Sequence, residues 1–274
     1  MKNKLFLILT ACLITSSYSQ DSIVNYLDNM GKIVDKVYAT QIETIVKKDT
    51  LWQVTKYYGN GKIKTFGHFK IRDKKEPIGE SIRYHRNGKV SNIRYYNKKS
   101  KKNGRDQTWF DNGKLSIDGT YLSDKKEGIW KYYHYNGIEA SRIYYKNDSI
   151  LKSIIFDDGG KQLNTPLITR NAKFIGGQEK FKAEINKLTK GIGYKIKGKG
   201  YVNFVVGING EIRDVVIYEE LPEELHQKIV AFFEAIEGWE PAIHMNRKIP
   251  VDFTLPLKFR IHRKCQIELQ NFSI

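Results

Sequence analysis

Through the middle of the chain, runs rich in Tyr and Phe alternate with polar positions and end in tight-turn signals, usually Asn-Gly-Lys. The turn pairs are Asn60-Gly61, Asn87-Gly88, Asn112-Gly113 and Asn136-Gly137, with a degenerate copy at Gly159-Gly160; successive turn glycines lie 27, 25, 24 and 23 residues apart. A period in this range predicts an array of supersecondary units, each too small to bury its apolar face alone. Each Asn-Gly predicts a hairpin tip of type I′, because that turn needs positive φ at both central residues. The strand before each tip supplies aromatics such as Tyr57, Tyr58, Tyr84, Trp109, Phe110, Tyr132 and Tyr133. Second glycines at Gly79, Gly104 and Gly128 mark the opposite turns of a meander.

Outside the array the period changes. Ile23, Tyr26, Leu27, Met30, Ile33 and Val34 fall on one helical face, which predicts a short amphipathic helix over Ser22 to Lys36. Gln41 to Val46 and Leu51 to Tyr57 then alternate around Lys48-Asp49-Thr50, a hairpin leading into the array. The stretch from Asp157 to Arg170, with Gly159-Gly160, Asn164 and Pro166, reads as a seam. Beyond it the expected order is helix (Gln178 to Thr189), strand (Tyr201 to Val206), tight turn at Asn209-Gly210, strand (Ile212 to Tyr218), helix opened by Pro222, and a last strand from Ile249 to Ile261. The fold class expected is therefore two-module: an all-β array of antiparallel hairpins, then a small α+β domain of order α-β-β-α-β.

The ends of the chain add a location. Lys2 and Lys4, an apolar run from Leu5 to Ile14 and small residues up to Ser19 predict a secretory leader, and that run is too short to span a bilayer. Leu9-Thr10-Ala11-Cys12 resembles the lipobox of bacterial lipoproteins, which implies a lipid anchor at Cys12 as the alternative to a free periplasmic protein. The expected boundaries are a leader at 1–19, helix and lead-in strand at 20–50, repeats at 51–161, a linker at 162–171, the second domain at 172–262 and a tail at 263–274. With the leader cut after Ser19, Cys265 is the one remaining cysteine and has no disulfide or metal partner.

Net charge is +17, and it is uneven: residues 52–161 carry 24 Lys and Arg against 12 Asp and Glu, whereas residues 172–261 carry 14 against 12. A basic surface on an exported protein points to anionic lipid, lipopolysaccharide or cell wall rather than nucleic acid. Lys62, Lys64, Lys89, Lys98, Lys99, Lys101, Lys102 and Lys114 are the residues nominated for such a surface, with solubility of a repetitive sheet as the competing explanation. The six histidines show no metal-binding spacing, and no nucleophile elbow or phosphate loop is present in the sequence. A non-enzymatic protein without cofactor or metal is expected.

Two resemblances sharpen these expectations. Tyr-Tyr-x-Asn-Gly-Lys, a glycine six residues after the turn glycine (Gly67, Gly119) and Lys126-Glu127-Gly128-Ile129-Trp130 resemble the variant MORN repeats of bacterial proteins, with Arg94, Ile143 and Ile138 as departures. Lys173-Phe174-Ile175-Gly176-Gly177, Gly200 to Val206, Gly238-Trp239-Glu240-Pro241 and Pro250 to Phe259 resemble the TonB carboxy-terminal domain. The second likeness implies binding by strand addition, in which the last long strand receives an extended segment of an outer-membrane protein. Val251, Phe253, Leu255, Leu257 and Phe259 are the partner-strand residues so nominated. The chain lacks the Pro-rich spacer of TonB transducers, and the alternative makes the array the binding part, with the last domain as a capping or dimerising unit in a homodimer.

Overall fold

The structure, a computed structural model, describes residues 22–188, 198–218, 221–260 and 266–269. The predicted leader and Cys12, and Cys265 with most of the tail, lie outside the described residues.

Twelve strands form one antiparallel sheet in which every sequence neighbour is also a spatial neighbour. They are β1 (Ser22–Leu27), β2 (Gln41–Lys48), β3 (Leu51–Tyr58), β4 (Ile63–Phe69), β5 (Pro77–Tyr84) and β6 (Val90–Tyr96), followed by β7 (Lys102–Trp109), β8 (Leu115–Leu122), β9 (Lys125–Tyr133), β10 (Glu139–Lys146), β11 (Ser149–Phe156) and β12 (Gln162–Leu163). The helix expected over Ser22 to Lys36 is instead β1 and a 3-10 turn at Lys36–Tyr38. Asp28 Oδ1 accepts from the N–H groups of Met30 and Lys32, and Gly31 takes φ 82, which ends any helix there. Pairing with β2 buries Leu27, while Met30 and Ile33 of the supposed apolar face stay exposed.

The tips also depart from the type I′ expectation. At Gly61, Gly88, Gly113 and Gly137 only the glycine has positive φ, between 79° and 92°, and its N–H donates to the residue three back. This is a type I turn closed by a left-handed glycine, and the register shifts beside these tips are the bulges that such turns produce. The type I′ geometry falls at the other edge, where both residues of Ser123-Asp124 and Asn147-Asp148 have positive φ.

Neighbouring tips are stapled together, and the staple explains the motif. Asn87 Oδ1 accepts from Lys89 N–H (3.0 Å), while Asn87 Nδ2 donates to the carbonyl of Asp111 in the next tip (2.8 Å). Lys89 Nζ donates to the carbonyl of Asn112 (3.0 Å), laying its stem over Gly113, where a Cβ would stand 3.6 Å from Lys89 Cδ. Asn60 with Lys62 and Asn112 with Lys114 repeat the arrangement. Asn136 keeps both bonds, and Ile138 replaces the lysine stem over Gly160.

One face of the sheet carries an apolar cluster at its carboxy-terminal end: Trp130, Tyr132, Ile143 and Tyr145. Gly119 is required there because a Cβ would enter the Trp130 indole. Lys126 lies within the same cluster, 4.6 Å from the Trp130 ring centre, 4.9 Å from that of Tyr145 and 3.0 Å from the Tyr132 hydroxyl. Burial lowers its pKa from the ordinary lysine value.

After the seam come β13 (Lys173–Phe174), α1 (Gly177–Leu188), β14 (Gly198–Val206), β15 (Ile212–Ile217) and α2 (Glu223–Ala235), then β16 (Trp239–Glu240), β17 (Ala242–His244), β18 (Arg247–Ile249), β19 (Val251–Arg260) and β20 (Gln266–Leu269). The expected α-β-β-α-β order is present, with β13 paired to β16, the β17–β18 hairpin and β20 added to it. The four-stranded sheet runs β15-β14-β19-β20. Phe181 and Ile185 of α1 and Leu225, Ile229 and Phe233 of α2 pack with Val202, Phe204, Trp239 and Leu255 into one core. Each such burial contributes roughly 1.5–3 kcal/mol.

Candidate functional site

The nominated strand lies inside its sheet over one half and at the edge over the other. β19 pairs with β14 without a register break from Val251 to Phe259, whereas β20 covers it only from Leu257 to Arg260. Among the described residues, the stretch from Val251 to Pro256 therefore has a strand partner on one side only. In an antiparallel ladder both backbone groups of a residue point to the same side, and successive residues alternate. Pro256 stands opposite Tyr201 in an unbroken ladder, so its N, which has no hydrogen, faces away from β14. Asp252 and Thr254 share that direction, as do Lys258 and Arg260, which pair with β20. The open half-edge thus presents the N–H and C=O groups of Asp252 and Thr254.

The side chains follow the opposite parity. Leu255 is fully buried, Val251 and Phe253 pack against the same core, and the Phe253 ring stacks on Phe204 at 5.5 Å and lies 5.0 Å from Trp239. Three of the five nominated side chains are therefore committed to their own domain, and a partner strand would meet the backbone together with exposed Asp252 and Thr254. Leu257 and Phe259 continue the backbone of β19, and their side chains lie outside the described residues.

The eight nominated lysines are not brought together. Lys62, Lys89 and Lys114 line the tip edge with their ammonium groups engaged by the next tip. Lys98, Lys99 and Lys101 stand exposed around the β6–β7 turn, on the opposite edge. Lys102 is half-buried over the Tyr121 ring (4.9 Å), and Lys64 bonds Gln41 Oε1 (2.8 Å).

The two modules meet through residues that sequence reasoning did not single out. The β17–β18 hairpin turns at Met245-Asn246, both at positive φ, and carries Arg247 into the array. Arg247 is 2% exposed, donates to Ser116 Oγ (2.9 Å) and the Tyr133 carbonyl (3.2 Å), and stacks over Phe110 and Tyr132. With no carboxylate beside it, burial pushes its pKa down to about 10. His244 packs edge-on against Tyr132, and burial, then Arg247 and Lys126, push it down to about 4. Arg213 pairs with Asp111, and Arg86 donates to the Tyr218 hydroxyl, linking two tips to the two opposite ends of β15. Asp252 keeps solvent-accessible surface beside this junction, within reach of the charges of Arg86, His85 and Arg213. The surrounding protein raises its pKa, and Arg86, His85 and Arg213 oppose that rise.

Among the described residues no cluster of His, Cys, Asp or Glu could hold a metal, and no helix is long and apolar enough to cross a membrane. Comparison with models of known families, with curated proteins and with solved structures returned no match.

Proposed function

We propose that this chain is a non-enzymatic, exported envelope protein that captures an extended segment of another envelope protein on the open half of β19. The array is its platform, and the last domain is its TonB-like binding module. The observation that carries this reading is the pair of unsatisfied backbone positions, Asp252 and Thr254, held in a ladder rigidly backed by β14 and by Phe253 and Leu255 in the core. An edge of this kind is completed by a partner strand, whose backbone supplies affinity and whose side chains supply selectivity. The TonB resemblance adds the class of partner, an outer-membrane or periplasmic protein, and a link to TonB-dependent transport.

Thr254→Pro removes an outward N–H without touching the β14 ladder. In a pull-down from envelope extract it should lose the partner while retaining its circular dichroism and melting temperature. Equal recovery by Thr254→Pro and the unaltered chain would reject the reading.

A second reading, the array as a platform for anionic lipid, lipopolysaccharide or peptidoglycan, is favoured by one observation. The ammonium groups of Lys98, Lys99 and Lys101 stand exposed with no partner among the described residues. It predicts binding to anionic vesicles that fades as salt shortens the screening length to about 10 Å at 0.1 M.

A further inference from the structure

At the amino-terminal end of the array a cavity of about 560 Å³ opens between the β1–β2 connection and strands β2 to β6. Its lining combines apolar residues, among them Val54, Phe69 and Ile78, with four cations, Lys56, Lys64, Lys74 and Arg83. Two carboxylates, Glu43 and Glu80, stand near them and are occupied, and the charge of Asp252 from β19 also reaches Lys64 and favours its protonated form. Glu43 is fully buried beneath the cavity, with Lys74 at 2.8 Å, Lys56 at 3.4 Å and Asn25 at 3.0 Å. Burial pushes its pKa up, but the hydrogen bonds from Lys74 and Asn25 and the two lysine charges hold it below the ordinary value. Glu80 accepts from the Tyr95 hydroxyl at 2.8 Å.

Lys64 and Arg83 are left over. Lys64 has only neutral partners, the Gln41 side-chain oxygen at 2.8 Å and the face of Tyr58, and Gln41 is itself fixed by donating to the carbonyls of Asp28 and Asn29. Burial, then the charges of Arg86, Lys56 and Arg83, lowers the pKa of Lys64. Arg83 has no hydrogen-bond or ion-pair partner among the described residues. The lining therefore holds two cations more than its carboxylates balance. Lys64 is half-buried and Arg83 is exposed at the rim; like charge gathered around a half-buried ammonium group is costly, and a bound anion removes that cost.

We propose that this cavity binds a phosphate-bearing ligand, whose roughly −1.5 to −2 charge at neutral pH matches the surplus at Lys64 and Arg83. Its apolar wall takes the group the phosphate is attached to. Lysine and arginine suit phosphate as a point charge and a forked donor. The phosphate could belong to a soluble monoester or to a lipid headgroup, and the two sources are separable by experiment.

Titration of the full chain with glycerol phosphate and inorganic phosphate, by calorimetry, tests the soluble source; flotation with phosphatidylglycerol against phosphatidylcholine vesicles tests the lipid source. The double variant Lys64→Gln/Arg83→Gln should weaken binding at least about tenfold, because it removes both charge-assisted contacts to the phosphate. Lys98→Gln/Lys99→Gln, which removes the same charge outside the cavity, should leave it unchanged. Saturable monoester binding with that pattern supports a soluble ligand, and vesicle binding alone with that pattern assigns a headgroup. Equal losses from both double variants, or binding of neither probe by the folded unaltered chain, would overturn the site.

Discussion

The array and the last domain solve the same problem by different means. In the array, stability is lateral and repeated: each tip donates an asparagine amide and, in three copies, a lysine ammonium to the carbonyls of the next, so polar residues hold one hairpin against its neighbour. In the last domain, stability is central, with two helices and a sheet sharing one apolar core. The difference teaches how to read charge in this chain. The basic residues that recur at the tips are structural, and those that break the repeat, Lys64, Arg83 and Arg247, stand where polar groups lack carboxylates. The edges differ as well: the array's tips are linked to one another, whereas in the last domain the Val251 to Pro256 half of β19 has, among the described residues, a strand neighbour on one side only.

The comparison can be broken most forcefully in the last domain. Phe233→Ala should cost about 3–5 kcal/mol and melt that core, leaving the array folded, as chemical denaturation followed by hydrogen exchange would show. Simultaneous loss of exchange protection in both modules would mean that they fold as one unit. The junction should respond to acid. His244 titrates near 4 when docked and near 6.5 when free, so the unfolded chain takes up its proton first. The stabilisation is complete above pH 6.5 and is lost as pH falls toward 4, by at most about 3 kcal/mol. Pulse proteolysis across that range, with His244→Phe abolishing the slope, checks this.

Asn112→Ala removes both the turn cap and the link to the next tip, and should lower array stability by about 1–2 kcal/mol. Lys114→Met keeps the stem over Gly137 and loses one exposed bond, so its cost should stay below about 0.5 kcal/mol in the same thermal melts. A lysine effect as large as that of the asparagine would show that charge, not the amide staple, holds the tips together.

Much of the fold was legible because repetition writes each structural decision several times over. Asn-Gly marked four of the five tips, although the turn class was misread: Asn sits in an ordinary type I position and only the glycine is left-handed. Gly119 was visible as a motif, but its reason, the Trp130 ring, is a cross-strand contact. The misread helix at Ser22 to Lys36 held its own corrective signal in Asp28 and Gly31, which the hydrophobic spacing outweighed. Pro256 identifies which backbone groups of the last strand face outward only once its place opposite Tyr201 in the ladder is known. Arg247 and Glu43 were illegible, since a lone charged residue bears no local mark that distant strands will bury it. The same holds for the cavity, assembled from the β1–β2 loop and five strands.

The central claim is that the outward backbone of β19 between Val251 and Pro256 is the surface offered to a partner. Amide hydrogen exchange, residue by residue, tests it most directly. Asp252 and Thr254 should exchange fast beside slow Phe253 and Leu255 in the free chain, and become protected once an envelope partner is captured. Slow exchange at Asp252 and Thr254 in the free chain, or exchange unchanged by capture, would contradict it.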